Sequence, residues 1–293
     1  MPAVGFVAPS GFLPDPTVLD RAASFFAARG WRVQAAESCL SRHERFAGPD
    51  ELRVNELQAF CTDRSLDVVV AARGGYGLSR LLDRIDYAAI SKARRRIVGY
   101  SDFTAFNLAY LAQAGGVSFQ GPSAGDFGAA TPDAFTVEHF FAAMAGDDCK
   151  VEFAAGGPAC HVKGVLWGGN LAMVSALAGT PYLPRVRGGI LFLEDVNEPA
   201  YKVERMLLQL LQAGALQRCR AILLGSFDPV VPMPNDNGYS MDSVVAFLRT
   251  RIDAPVVTGL PFGHVARKLT LPVGARAELS VKDSTANLAW RLK

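Results

Sequence analysis

No two cysteines of the chain stand at C-x-x-C spacing, and the five present, Cys39, Cys61, Cys149, Cys160 and Cys219, make an odd number. Neither a zinc site nor a full disulfide set is indicated, and a reducing compartment fits this usage. Long hydrophobic runs are missing too: none reaches the ~18 residues that a membrane span requires. The opening Met-Pro-Ala-Val-Gly-Phe-Val-Ala-Pro-Ser has no basic stretch ahead of its apolar residues, so no leader of the secretory kind is read there. The expectation is a cytoplasmic protein with no membrane partner. Nor is there an excess of either charge, since 30 Lys and Arg against 28 Asp and Glu leave +2 over 293 residues, and nucleic acid is not an implied partner. The single dense basic run, Arg94-Arg95-Arg96, reads as a solvated helix end. Histidine is scarce at four residues, which keeps the search for a catalytic base short.

What is present is apolar sequence in short, punctuated runs. Half of the residues are hydrophobic, enough for a sizeable core in one large or two ordinary domains. Runs at 4–8, 31–35, 68–72, 96–99 and 117–120 read as strands, and helical spacing fills the intervals between them. Asp15-Pro16 and Asp50 mark helix starts. Such alternation predicts a doubly wound parallel sheet with ligands at the carboxyl ends of its strands. Periodicity fades from Gly146 to Gly157, so the expected organisation is an N-terminal α/β domain over 1–145, a linker over 146–160 and a C-terminal domain over 161–293. In the second part Val162–Trp167, Gly189–Leu193 and Ala221–Leu224 read as strands. Gly168-Gly169-Asn170 reads as a turn, Pro199 and Asp242 as helix starts, and the end of the chain as β-rich.

One stretch stands out chemically. Ile97-Val98-Gly99-Tyr100-Ser101-Asp102-Phe103 places a serine where a strand gives way to a helix, with backbone N–H groups of the helix start beside it. Serine is also a good N-cap, so the residues alone leave nucleophile and cap both open. A second glycine-rich turn, Arg73-Gly74-Gly75-Tyr76-Gly77, follows the strand at 68–72 and matches neither a dinucleotide fingerprint nor a P-loop. A nucleophilic serine needs a base, and a base needs an orienting carboxylate. His43, His139 and His161 lie in charged or amphipathic surroundings and read as structural or solvated. His264 closes the turn Gly259-Leu260-Pro261-Phe262-Gly263 at the end of a buried strand, which presents its imidazole from a rigid edge. Glu194 ends an apolar strand and is partly desolvated there unless a donor pairs with it. Asp195 and Glu198 read as solvated or as caps of the helix after Pro199. The order Ser, Glu, His is that of α/β-hydrolases, but Gly99-Tyr100-Ser101-Asp102-Phe103 lacks the second glycine of G-x-S-x-G, which disfavours an ordinary lipase or esterase.

Together, Arg73-Gly74-Gly75-Tyr76-Gly77, Gly99-Tyr100-Ser101-Asp102-Phe103-Thr104, Leu166-Trp167-Gly168-Gly169-Asn170-Leu171, Leu193-Glu194-Asp195 and Gly263-His264 resemble the LD-carboxypeptidases, or muramoyltetrapeptide carboxypeptidases, over almost the whole chain. The resemblance implies a cytoplasmic serine peptidase of peptidoglycan recycling, and with no Cys/His cluster at ligand spacing no metal or cofactor is expected. Its substrate would be the murein tetrapeptide, cut between meso-diaminopimelate and the terminal D-alanine. It implies Ser101 as nucleophile, His264 as base, Glu194 as its orienter and the N–H groups of Gly75 and Asp102 as oxyanion hole. Arg73, Trp167 and Asn170 become candidate substrate contacts, and Arg73, Arg267 and Lys268 candidate partners of the substrate carboxylate. It further implies a homodimer whose subunit has an N-terminal doubly wound domain carrying the serine and a C-terminal β-rich α/β domain carrying Glu and His, with the site in the groove between them. A microcin-type peptidyl-nucleotide hydrolase is the alternative within the class, and a non-catalytic binding protein in which Ser101 only caps a helix is the alternative outside it.

Overall fold

The computed structural model describes residues 1–146 and 148–292. The chain begins with β1 (Ala3–Val7), α1 (Thr17–Ala27), β2 (Arg32–Ala35), α2 (Asp50–Thr62) and β3 (Val68–Ala71). There follow α3 (Tyr87–Ala93), β4 (Arg96–Val98), α4 (Thr104–Ala114), β5 (Ser118–Gln120), α5 (Ala124–Phe127) and α6 (Ala134–Ala145). The remainder comprises β6 (Cys149–Ala154), β7 (Cys160–Asn170), α7 (Leu171–Ala176), β8 (Gly189–Glu194), α8 (Ala200–Gln212), β9 (Cys219–Leu224), α9 (Met241–Arg249) and β10 (Val256–Thr258). The last strands are β11 (Leu271–Val273), β12 (Arg276–Lys282) and β13 (Thr285–Arg291).

The first sheet has the order β2-β1-β3-β4-β5-β11, parallel throughout except for β11. β1 and β3 are buried along their whole length, as continuous runs such as Val68-Val69-Val70-Ala71 require when helices cover both faces. The order reverses between β1 and β3, and a crevice opens beyond the carboxyl ends of strands at such a point. The second sheet runs β10-β9-β8-β7-β12-β13-β6, parallel over its first four strands and antiparallel over the last three. β7 joins the two halves: its first part pairs with β12 and its second, Leu166–Asn170, runs parallel to β8. α8 covers this sheet with Val203, Leu207, Leu210 and Leu211.

Several local expectations are corrected. Gly168-Gly169-Asn170 is not a turn but the end of β7, and its glycines answer to close packing. A Cβ on Gly168 would fall 1.9 Å from the Phe192 carbonyl of β8, and one on Gly169 2.1 Å from Gln120 Nε2 of the first sheet. Residues 149–154, inside the expected linker, form β6, which closes the antiparallel edge against β13. α9 starts two residues earlier than Asp242 suggested, on a Ser240–Ser243 capping box. β11, far along the chain, crosses back to become the edge of the first sheet, where Pro272 is tolerated because an edge strand can spare an N–H. No helix among the described residues is long and apolar enough to cross a membrane.

Candidate active site

The nucleophile candidate sits on a strained turn. After β4 the chain makes one turn of 3-10 helix, Ser101–Phe103, before α4, and Ser101 has φ +62. A non-glycine residue pays for that conformation and keeps it only where its surroundings impose it. Those surroundings can be named. The Asp102 side chain points away from Ser101 and accepts the Ser10 hydroxyl at 2.6 Å and the Leu78 N–H at 2.9 Å. It thereby ties together the loops after β1, β3 and β4. Burial pushes the Asp102 carboxyl above the ordinary carboxylate range, while these hydrogen bonds and the Arg53 charge pull the other way. Arg53, fully buried in α2, donates to the carbonyls of Gly48, Pro9 and Gly77 and pairs with Asp50. Its burial lowers its own pKa. The Gly11 N–H donates to the Gly74 carbonyl at 3.1 Å, which seats the glycine-rich turn against the loop after β1. Gly74 lies directly under Ser101, since a Cβ there would stand 2.7 Å from Ser101 Oγ.

The second half of the site comes from the other sheet. Glu194, at the carboxyl end of β8, is 0 % exposed and accepts from His264 Nδ1 at 2.7 Å. With Nδ1–H directed at the carboxylate, Nε2 is the free acceptor of the ring. The His264 loop is held at both ends: Phe262 is buried edge-on against Phe192 of β8, and the chain beyond runs into β11 of the first sheet. That crossing brings the imidazole to the first sheet, with its ring centroid 5.0 Å from that of Tyr100, the neighbour of Ser101. Among the described residues no hydrogen bond joins the Ser101 hydroxyl to His264, and the N–H groups of Gly75 and Asp102 have no hydrogen-bond partner.

The candidate substrate contacts fare differently. Trp167 is 1 % exposed, with no surface to offer a ligand. Asn170 is buried and its amide is fully engaged: Nδ2 donates to Glu194 Oε1 at 3.2 Å and Asp195 Oδ1 at 3.0 Å, and Oδ1 accepts the Met173 N–H that starts α7. It positions Glu194, to which it is the register partner in the β7–β8 ladder. Lys268 is 1 % exposed and ion-paired with Asp126, its ammonium 4.4 Å from the Tyr100 ring centroid, so it is not free for a substrate carboxylate. Arg267 stacks on Phe135. Arg73 donates to the Phe12 carbonyl at 2.5 Å but keeps part of its surface beside the glycine turn. Asp195, expected in solvent or at the start of α8, is buried and takes the Ala172 N–H at the start of α7 instead. Burial raises its pKa, and the neighbouring Glu194 adds to the rise.

Ser10, Arg53 and the Asp102 side chain were missed. Ser10 had a usable signal, since Pro9-Ser10-Gly11 follows a strand at the reversal point of the sheet. Arg53 had none, because on a helix otherwise carrying Val54 and Leu57 inward an arginine reads as solvated. Of the remaining histidines, His161 pairs with Glu278 on the surface and His139 bonds the Phe135 carbonyl in its own helix.

Comparison with known proteins finds family models matching both parts of the chain. The family model of the LD-carboxypeptidase N-terminal domain matches residues 4–121, and that of the C-terminal domain residues 163–279. The chain belongs to the LD-carboxypeptidase family. It is thus a serine-type carboxypeptidase of mixed α/β architecture. This LD-carboxypeptidase is 42% identical to the crystal structure of muramoyltetrapeptide carboxypeptidase from Oxalobacter formigenes, with a TM-score of 0.94 over 99% of each chain. A carboxypeptidase homologue of Streptomyces coelicolor is 36% identical, over 97% of this chain and 92% of its own. The murein tetrapeptide carboxypeptidase of Pseudomonas aeruginosa is 31% identical over 82% and 80%. The structure of MccF in complex with glutamyl sulfamoyl guanosine shares the fold, with a TM-score of 0.89 at 21% identity.

Proposed function

We propose that this LD-carboxypeptidase removes the terminal D-alanine from murein tetrapeptides by cutting its bond to meso-diaminopimelate, as part of peptidoglycan recycling in the cytoplasm. In this reading the Ser101 hydroxyl attacks the scissile carbonyl while His264 Nε2 takes its proton. Glu194 holds the ring in the tautomer that leaves Nε2 free and stabilises the imidazolium that forms. The unpaired N–H groups of Gly75 and Asp102 receive the oxyanion, and His264 then returns the proton to the leaving amine of D-alanine. Water hydrolyses the acyl-enzyme by the same route.

The observation that carries the reading is the Glu194–His264 contact at 2.7 Å, delivered by a loop that ends in the sheet bearing Ser101. The name of the Pseudomonas relative supports the choice of substrate. Incubation of the protein with L-Ala-D-Glu-meso-diaminopimelate-D-Ala, followed by mass spectrometry, should show tripeptide and free D-alanine. An unchanged tetrapeptide with enzyme shown to be folded would refute the substrate assignment.

A further inference from the structure

A cavity of about 1390 Å³ is lined by none of the residues around Ser101. It lies at the opposite edge, between the amino end of β4, the connection after α4, the first half of β7 and the starts of β8 and β12. β8 measures the separation: it begins beside the cavity at Gly189 and ends at Glu194, five strand steps or roughly 17 Å away.

Its lining is basic far beyond the average of the chain. Among the described residues nine Arg and Lys and only two acidic residues line it, a surplus of seven against +2 for the whole protein, which leaves the rest of the chain at −5. Some of these cations are occupied, since Arg95 and Arg220 donate to backbone carbonyls, Lys163 pairs with Glu278 and Arg291 with Asp148. The side chains of Arg94, Arg96, Lys150, Arg187 and Arg276 make neither an ion pair nor a hydrogen bond among the described residues. The Arg94-Arg95-Arg96 run is therefore not simply a solvated helix end; it forms one wall of a concave basic site, with Arg187 and Arg276 coming from the second sheet.

We infer that this cleft binds a small multiply phosphorylated anion. Arginine predominates over lysine, and its planar fork suits phosphate oxygens, while clustered like charge in a concave site focuses the field on an anion. The cavity has room for a nucleotide-sized molecule. Tyr110, Phe119 and Trp290 line it but are each 3 % exposed, so no ring face is presented for a base to stack on, and the phosphate chain is what the site recognises. The same absence argues against single-stranded nucleic acid. A second copy of the chain would bring the same positive surplus to a two-fold contact, which like-charge repulsion opposes.

Isothermal titration of the full chain with sodium tripolyphosphate in 150 mM NaCl tests this. One ion should bind per chain, ATP should bind within threefold of tripolyphosphate, and Arg187→Ala/Arg276→Ala should weaken both at least tenfold while tetrapeptide turnover stays within twofold. Arg94→Ala/Lys150→Ala provides a second variant on the other wall should the first fail to fold. Four results overturn the inference: no saturable binding up to millimolar tripolyphosphate, folded variants that bind like the parent, ATP tighter by more than tenfold, or an oligonucleotide that binds several chains and outcompetes tripolyphosphate.

Discussion

Adding one methyl group beneath the nucleophile separates placement of Ser101 from every other property of the site. The backbone of Gly74 lies outside the left-handed region, so alanine can adopt it without strain. The new Cβ would nevertheless stand 2.6 Å from Ser101 Cβ and 2.7 Å from its Oγ, whereas carbon atoms rest at ~3.5 Å or more. About 1 Å of displacement must be found. The turn at Ser101 already holds φ +62, and the Asp102 carboxylate pins it to Ser10 and Leu78, so the backbone has little freedom and the side chain must swing away. A misplacement of that size costs on the order of 100-fold in turnover, equivalent to about 2.7 kcal/mol of transition-state stabilisation. Overpacking should also cost about 1–3 kcal/mol of stability. Gly30→Ala is the control, because it forces a side chain into φ +75 in open space and costs about 1 kcal/mol without touching the site. D-alanine release and thermal unfolding should therefore show Gly74→Ala losing kcat with little change in KM, and Gly30→Ala losing only stability. A Gly74→Ala enzyme with parental kcat would refute the placement of Ser101 above this glycine.

Ser101→Ala and His264→Ala should each lower turnover by several orders of magnitude, and the double variant should be scarcely worse than either, because one missing member already prevents the proton transfer. Strictly additive losses would show that the two residues do not act together. Asn170→Ala should cost about 1–3 kcal/mol in urea unfolding by removing the α7 cap and leaving Glu194 and Asp195 short of a buried donor. Asn170→Asp keeps a capping oxygen but places a third carboxylate beside two others, and it should lose more activity than the alanine variant; the reverse order would contradict the positioning role. Because burial raises the native pKa of Asp102, its ionised form is disfavoured in the fold, and its contribution to stability grows as pH falls through that raised value, levelling off below the unfolded value of about 3.9. The stability difference between the parent and Asp102→Asn should therefore shift in favour of the parent as pH is lowered from neutral towards about 4, and a shift the other way would reverse the assignment.

Local chemistry made part of this protein legible in its residues. Parallel strands buried on both faces must be continuous apolar runs, so β1, β3 and β8 show in one dimension, and the punctuation at their carboxyl ends marks Ser101, the glycine-rich turn and Glu194 as places where polar groups meet a crevice. His264 stood out for the same reason. What could not be read is whatever depends on pairs distant in the chain. β11 is three residues with a proline, too short to carry a pattern, yet its pairing with β5 is what carries the His264 loop back to the first sheet. Asn170 resembles a turn residue until β7 and β8 lie side by side and its amide meets Glu194. Asp195 and Arg53 look like solvated charges because periodicity reports only the probability that a charge stays wet, whereas their partners, the β7–α7 junction for Asp195 and loop carbonyls for Arg53, are assembled by the fold. The basic cleft shows the same division: Arg94-Arg95-Arg96 is visible as a run, but its meeting with Arg187 and Arg276 is not. Charge adds up along a sequence without regard to place, so a chain of net +2 gives no sign of a site with a surplus of seven, and only the packing of the two sheets brings those residues to one cleft.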